Sequence, residues 1–175
     1  MGNRPGVDTR VNGHAMDLIQ RPRSTGSTLK PLLFASMIEQ GLILPQSLIA
    51  DVPVSYTGFT PKNYDRAYRG AVPAHEALAR SLNIPAVNML SLYGVEPFQV
   101  FLQQIGMQHL KRPARDYGLS LILGGAEGSL WDITHLYANL AYLASQAPHL
   151  GLRHWQRAKL FKTDSSDTGR IATLS

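Results

Sequence analysis

The chain has 175 residues, of which 44% are hydrophobic, and this is enough apolar material for one ordinary domain with a buried core. The net charge of +5 does not indicate nucleic-acid binding, because residues 51–150 hold as many basic as acidic side chains and the excess lies at the two ends. Cysteine is absent, which excludes disulfides, thiol catalysis and cysteine-ligated metal sites.

The first part of the chain predicts a loop, a buried helix and a second, longer loop. Residues 1–26 are rich in Gly, Pro and Arg and predict a loop that leads into the helix. Apolar residues then recur at helical spacing up to Ile38, and Gly41 follows as a stop signal, so we expect Ser27 in the first turn of this helix. Residues 43–73 carry several Pro and Gly without helical periodicity and predict a long structured loop with a short hairpin.

Four further helices are predicted downstream. Their ranges are 74–82, 85–94, 97–106 and 129–143. Ser129 followed by Asp132 resembles a capping box for the last of them. Residues 107–118 predict a loop, 119–125 a short apolar run closed by two glycines, and 148–175 a weakly ordered tail. The chain is therefore expected to be mostly helical, with its core over residues 27–147.

The first candidate chemical motif is Ser27-Thr28-Leu29-Lys30. On a helix, residues three apart project from the same face, so the serine and the lysine could touch. A partly desolvated lysine has a lowered pKa and can take the hydroxyl proton as a general base. The spacing alone is weak evidence, because about 0.4 such pairs are expected by chance in this composition. For an isolated match, a capping serine beside a solvated lysine would be the simpler interpretation.

The second candidate motif is Ser81-Leu82-Asn83. By itself it reads as the end of one helix followed by the cap of the next. Taken together, however, the two motifs stand at helix ends in the order of acyl-serine enzymes that carry S-x-x-K, S-x-N and K-T-G. The six histidines show no metal-ligand spacing, so no metal site is expected.

Four collinear segments carry a family resemblance. They are Arg23–Pro31 (RSTGSTLKP), Pro61–Asp65 (PKNYD), Glu76–Val87 (EALARSLNIPAV) and Leu121–Ala126 (LILGGA). Together they resemble the transpeptidase domain of class A penicillin-binding proteins. The resemblance runs from about residue 10 to about residue 145, and four segments in one order are far more specific than either short motif.

The resemblance implies a role for each residue of the two motifs. Ser27 would attack the penultimate D-alanine carbonyl of a peptidoglycan stem peptide and hold the peptide as an acyl-enzyme until an acceptor amine displaces it. β-Lactam antibiotics would be trapped by the same attack. Lys30 would be the general base, and Ser81 would relay the proton to the leaving nitrogen. Asn83 would form hydrogen bonds with Lys30 and with the substrate amide. This chemistry needs no metal or cofactor.

The resemblance also implies a setting for these residues. Asn63, Tyr64, Gly124 and Gly125 would border the substrate cleft. The parent protein would be anchored at the periplasmic face of the bacterial inner membrane and would carry a peptidoglycan glycosyltransferase domain upstream.

The third motif of the family, Lys followed by Thr or Ser and Gly, does not occur in this sequence. Lys162-Thr163-Asp164 is similar but has Asp where Gly is required. The family fold is an α+β fold with a five-stranded antiparallel sheet flanked by helices, shared with serine β-lactamases. We therefore expect a partial transpeptidase domain that is mainly α and lacks most of the central sheet. A helical layer without its sheet exposes apolar surface, so self-association is also expected.

Two alternative functions remain open at this stage. A serine β-lactamase or D,D-carboxypeptidase would share Ser27 and Lys30, although the four flanking segments favour the class A transpeptidases. A catalytically incompetent helical fragment of the same domain would keep both motifs without using them, and the missing third motif favours that alternative.

Overall fold

The computed structural model describes residues 19–56 and 58–146. The predictions for residues 1–18 and for the tail over 148–175 lie outside these residues. Within the described ranges the chain forms six α-helices, one 3₁₀ helix and two antiparallel sheets of two strands each. The prediction of a mainly helical chain with little sheet is confirmed.

The elements follow one another closely along the chain. In order they are β1 (Arg23–Ser24), α1 (Lys30–Glu39), β2 (Leu48–Asp51), β3 (Gly70–Pro73), α2 (Ala74–Ala79), α3 (Asn83–Tyr93), α4 (Val95–Gln104), α5 (Ala114–Tyr117), a 3₁₀ helix (Gly118–Leu123), β4 (Glu127–Gly128) and α6 (Leu130–Gln146). The strand β1 pairs with β4, and β2 pairs with β3. The hairpin expected within residues 43–73 is therefore present as β2 and β3.

The start of α1 differs from the prediction. The helix begins at Lys30, and Ser27 lies in the preceding turn rather than in the first turn of the helix. This turn is held by tight bonds, since the Thr28 amide donates to Thr25 O at 3.2 Å and the Lys30 amide donates to Ser27 O at 3.2 Å. Such bonds to the third preceding residue wind the chain more tightly than an α-helix.

Two other predicted helices begin two residues before the proline that was expected to open them. The helix α3 begins at Asn83 and contains Pro85, and α4 begins at Val95 and contains Pro97. The first amides of a helix have no intrahelical acceptor, so a proline at the third position breaks no hydrogen bond. The predicted openings were therefore late by two residues.

The end of α2 and the segment before β4 also differ from the predictions. The helix α2 ends at Ala79 instead of Leu82, because Ser81 adopts a left-handed conformation with φ of 52°. The loop expected over residues 107–118 contains the short helix α5, and most of the following apolar run forms the 3₁₀ helix.

The hydrophobic core surrounds α3, which contacts α1, α2, α4, β2 and the 3₁₀ helix. Large, fully buried side chains come from all of these helices except α2. They include Leu29, Leu32, Leu33, Met37, Ile84, Leu90, Phe98, Leu102 and Leu121. Because α1 and α3 share this core, the beginning of α1 is held against the beginning of α3. No helix in the described ranges combines the length and apolar character needed to cross a membrane.

The predicted capping box of α6 is confirmed. The Asp132 amide donates to Ser129 Oγ at 3.0 Å, and the Ser129 amide donates to Asp132 Oδ2 at 3.3 Å. The same carboxylate oxygen lies 2.7 Å from Nδ1 of His109, which the sequence did not suggest. Both capping residues are buried, so their polar atoms depend on each other rather than on water.

We predict that Ser129→Ala lowers the free energy of unfolding by about 1 kcal/mol, because it removes the acceptor of a buried helix-capping bond. Urea unfolding followed by circular dichroism would measure the change. Thr134→Ala, at an exposed position in the same helix, serves as the control and is expected to leave stability unchanged or slightly higher. Equal stability of Ser129→Ala and the unmodified chain would contradict the prediction.

Candidate active site

The amine of Lys30 is the centre of the candidate site. The residue is only 2% exposed, and its Nζ donates three hydrogen bonds. The acceptors are the Ser81 carbonyl oxygen at 2.8 Å, Ser81 Oγ at 3.2 Å and Asn83 Oδ1 at 2.7 Å. An ammonium group has three N–H donors, so this set of acceptors satisfies a buried lysine without water. The structure thus brings Ser81 and Asn83 to Lys30.

Burial lowers the pKa of Lys30 from 10.5 to about 8. The cause is desolvation, since removing an ammonium group from water disfavours its charged form. With this pKa, roughly a tenth of the amine is neutral at pH 7, compared with well under a thousandth for an ordinary lysine. A neutral amine can accept a proton, so the position is suited to a general base.

Ser81 owes its place to the way α2 ends. The Leu82 amide donates to Ala77 O at 2.9 Å and the Ser81 amide donates to Leu78 O at 2.8 Å. This pair of bonds forms a Schellman motif, in which the residue with positive φ is usually glycine. Here it is Ser81, with φ of 52°, and both of its oxygen atoms lie within hydrogen-bond distance of Lys30 Nζ.

Asn83 is the first residue of α3, and residues 62 and 63 hold it from two sides. Its backbone amide donates to Asn63 Oδ1 at 2.9 Å, and its side-chain amide donates to Lys62 O at 2.9 Å. Asn63 is itself 3% exposed, and its Nδ2 donates to the fully buried Asp51 carboxylate at 2.6 Å. The structure therefore places Asn63 in a buried network behind Asn83.

Ser27 lies one turn before Lys30 with an exposed side chain. Its carbonyl oxygen accepts the Lys30 amide at 3.2 Å. The three bonds of Lys30 Nζ all go to Ser81 and Asn83, and the described part of the chain shows no hydrogen bond between Nζ and Ser27 Oγ. Ser27 is thus exposed to solvent, three residues before the buried Lys30.

The two predicted cleft glycines make different close contacts, and Gly124 lies against the segment that leads to Ser27. Ser24 Oγ donates to Gly124 O at 2.7 Å, and a Cβ added at Gly124 would come within 3.0 Å of Gly26 backbone atoms. A Cβ at Gly125 would meet backbone atoms of Ser120 at 2.8 Å. Only glycine fits such close approaches, so Gly124 packs directly against the chain just before Ser27, and Gly125 packs against the 3₁₀ helix.

Three other contacts support this part of the site, and sequence reasoning missed them. Arg112 donates to Gly125 O at 2.8 Å and forms an ion pair with Glu127 at 2.6 Å. The Tyr137 hydroxyl donates to Thr28 O at 2.8 Å, which ties α6 to the turn of Ser27. These residues stand far apart in the sequence and follow no short spacing that could have indicated the contacts.

Tyr64 differs from the other predicted site residues because its side chain is fully exposed. It forms no contact with Lys30 in the described residues, although it directly follows the buried Asn63. Its predicted part in substrate binding, like that of Asn63, Gly124 and Gly125, stays a prediction.

Comparisons with known proteins show the family of this chain. Residues 1–142 match the family model of the penicillin-binding protein transpeptidase domain. Penicillin-binding protein 1C of Escherichia coli is 40% identical over 129 residues, which cover 74% of this chain and 17% of that protein. Penicillin-binding protein 1F of Bacillus subtilis is 35% identical over 128 residues, which cover 70% of this chain and 17% of that protein. The chain thus spans about a sixth of the length of these relatives.

A solved structure gives the same result for the fold. The crystal structure of penicillin-binding protein 1A from Haemophilus influenzae matches with a TM-score of 0.62 at 23% identity, over 71% of this chain and 19% of that one. The expected fold class, a mainly helical part of that transpeptidase fold, is confirmed. The family match, the two bacterial relatives and the shared fold show that this chain belongs to the penicillin-binding protein transpeptidase family.

Proposed function

We propose that this chain provides the nucleophile and the proton-transfer residues of an acyl-serine D,D-transpeptidase that cross-links peptidoglycan stem peptides. The observation that carries the proposal is the cage of three acceptors around the buried Lys30 amine, with its pKa lowered to about 8. A lysine on a solvated helix face would be neither buried nor surrounded by three protein acceptors. In this proposal the exposed Ser27, three residues before Lys30, supplies the nucleophilic hydroxyl.

The proposed acylation follows from these positions. Neutral Lys30 takes the Ser27 proton as Oγ attacks the penultimate D-alanine carbonyl and forms a C–O bond. Ser81, whose hydroxyl lies 3.2 Å from Lys30 Nζ, passes the proton to the nitrogen of the terminal D-alanine as the C–N bond breaks. The nitrogen of an acceptor amine then forms a new C–N bond as the C–O bond to Ser27 breaks, and the proton that the amine loses returns to Ser27 Oγ, which restores the starting state.

Asn83 has a supporting part in this proposal. Its Oδ1 holds the Lys30 amine at 2.7 Å, and its Nδ2 donates to Lys62 O at 2.9 Å. In the proposed complex the side-chain amide of Asn83 also forms a hydrogen bond with the substrate backbone. β-Lactams would acylate Ser27 by the same attack, with the amide bond of the ring as the bond that breaks.

The sequence contains no Lys-Thr-Gly or Lys-Ser-Gly, so it does not provide the carboxylate-binding cation and the strand amide that this motif supplies in the family. Loss of one oxyanion donor typically costs a hundredfold to a thousandfold in rate, roughly. The proposal is therefore that the present residues form one half of the site and react slowly by themselves. The alternative of a catalytically incompetent helical fragment rests on the same missing motif.

The setting of the protein is part of the proposal. The relatives named penicillin-binding protein 1C and 1F are bacterial. We propose a periplasmic location at the inner membrane, within a parent protein that is membrane-anchored and also carries a glycosyltransferase domain. The exposed apolar side chains of α6, among them Leu130, Trp131 and Tyr142, support the proposed self-association of the isolated chain.

We predict that a fluorescent penicillin labels this chain covalently and that Ser27→Ala abolishes the labelling. The reason is that the acyl bond forms at Ser27 Oγ and at no other hydroxyl. Denaturing gel electrophoresis with fluorescence detection, followed by mass spectrometry of the labelled peptide, would measure it. Ser91→Ala, at an exposed serine of α3, is the matched control and should be labelled like the unmodified chain.

Other outcomes of this experiment would separate the alternatives. Absence of labelling in the unmodified chain after long incubation would support the incompetent fragment. A label that forms and is then released by hydrolysis would indicate the β-lactamase or carboxypeptidase alternative. Labelling that persists in Ser27→Ala would sink the assignment of the nucleophile.

We predict that the Lys30 amine titrates with a midpoint of about pH 8 instead of 10.5, because its burial disfavours the ammonium form. Nuclear magnetic resonance of lysines labelled with carbon-13 at Cε would follow the titration, and loss of the resonance in Lys30→Arg would assign it. The neutral base becomes more abundant as the pH rises, so the rate of penicillin labelling should increase toward pH 8 and level off above it. A midpoint near 10.5 would contradict this assignment.

A further inference from the structure

We propose that Asn63 is a positioning residue for the base Lys30, and that the buried Asp51 sets the orientation of the Asn63 amide. This inference rests on the proposed function, in which Lys30 is the base. It gives the loop between β2 and β3 a defined part in the site. It also assigns to Asn63 a role different from the border of the cleft that its sequence context suggested.

The Asn63 amide uses its full hydrogen-bonding capacity. Its Nδ2 donates to Asp51 Oδ1 at 2.6 Å and to Ala67 O at 2.9 Å. Its Oδ1 accepts the amides of Asn83 at 2.9 Å and Ile84 at 3.2 Å. Two donors and two acceptor positions are therefore all occupied, in a residue that is 3% exposed. Every polar atom of this side chain is thus paired within the protein.

The orientation of this amide follows from the chemistry of its neighbours. An ionised carboxylate only accepts hydrogen bonds, so the Asn63 NH₂ group must face Asp51. The amide oxygen then faces the first backbone amides of α3, which need acceptors because they have none within the helix. Asp51 is held in turn by the Arg69 amide, which donates to its Oδ2 at 3.1 Å. A flipped amide would place two acceptors against each other.

These contacts fix the position of Asn83 relative to Lys30. The Asn83 backbone amide is bound by Asn63 Oδ1, and the Asn83 side chain is bound by the carbonyl of Lys62. The remaining atom of the side chain, Oδ1, points to Lys30 Nζ at 2.7 Å. Residues 62 and 63 thus bind both the backbone amide and the side-chain amide of Asn83. Together with Ser81, these contacts keep water away from the Lys30 amine, and the low exposure of Lys30 depends on them.

Removal of the Asn63 amide should let water reach Lys30. In Asn63→Ala we expect the titration midpoint of Lys30 to rise from about 8 toward 10.5 by about one pH unit or more, since desolvation is what lowers it. Nuclear magnetic resonance of the labelled lysines measures this shift directly. If penicillin labels the chain, the labelling rate should fall roughly 10- to 100-fold, as expected for a misplaced catalytic group.

The matched control is Gln99→Ala. Gln99 is also a buried amide, and it donates to Leu110 O at 3.3 Å and to Arg112 O at 2.8 Å, in a contact between α4 and the following loop. Its loss should lower stability without changing the midpoint of Lys30. An equal shift in Gln99→Ala and Asn63→Ala would show general loosening of the fold and would overturn the proposal, as would an unchanged midpoint in Asn63→Ala.

The variant Asp51→Asn tests whether Asp51 sets the orientation of the Asn63 amide, and it keeps the shape of the side chain. It also provides a test of the proposal if Asn63→Ala fails to fold. We expect the titration midpoint of Lys30 to rise less in Asp51→Asn than in Asn63→Ala. The variant that carries both changes should show the same midpoint as Asn63→Ala alone, because Asp51 acts through Asn63. An unchanged midpoint in Asp51→Asn, or additive shifts, would overturn that part. The titration does not require a reaction at Ser27, so failure of penicillin labelling would count against the proposed function but not against the positioning of the Lys30 amine by Asn63.

Discussion

The burial of one amine organises the candidate site. A lysine that is almost completely removed from water needs acceptors for three N–H groups, and here two come from Ser81, just after α2, and one from Asn83, the first residue of α3. Ser81, in its left-handed conformation after α2, and Asn83, at the first position of α3, meet that requirement. The packing of α1 against α3 then serves a chemical purpose, because it brings the amine and its acceptors together in a dry environment.

A second layer of buried polar groups supports the first. The loop that joins β2 and β3 is long, yet Asp51 and Asn63 anchor it from inside, and the anchor ends at the first amides of α3. On the opposite side, Arg112 and the glycine turn hold the strand that leads to Ser27. Ser27 and Lys30, the proposed nucleophile and base, are thus held by contacts from two different parts of the chain.

Much of this arrangement could be predicted from the sequence. The helices, the capping box at Ser129 and the two motifs were visible because they depend on residues three or four positions apart, and helical spacing reports such contacts directly. The hydrogen bonds of Asn63 to Asp51 and Asn83 could not be derived in this way, because these partners lie 12 and 20 positions away and the backbone amides of α3 carry no sequence signal. The predicted starts of α3 and α4 at Pro85 and Pro97 were wrong because proline is compatible with several positions of the first turn of a helix.

The conformation of Ser81 has a consequence for how this segment tolerates change. At the left-handed position of a Schellman motif, glycine avoids the steric cost that any other residue bears, which is about 1–2 kcal/mol. A glycine at position 81 would therefore lower the backbone strain at the end of α2, but it would remove a hydroxyl that lies 3.2 Å from Lys30 Nζ. Folding and chemistry favour different side chains at this one position. A search for more stable variants would select against the serine unless activity were measured at the same time.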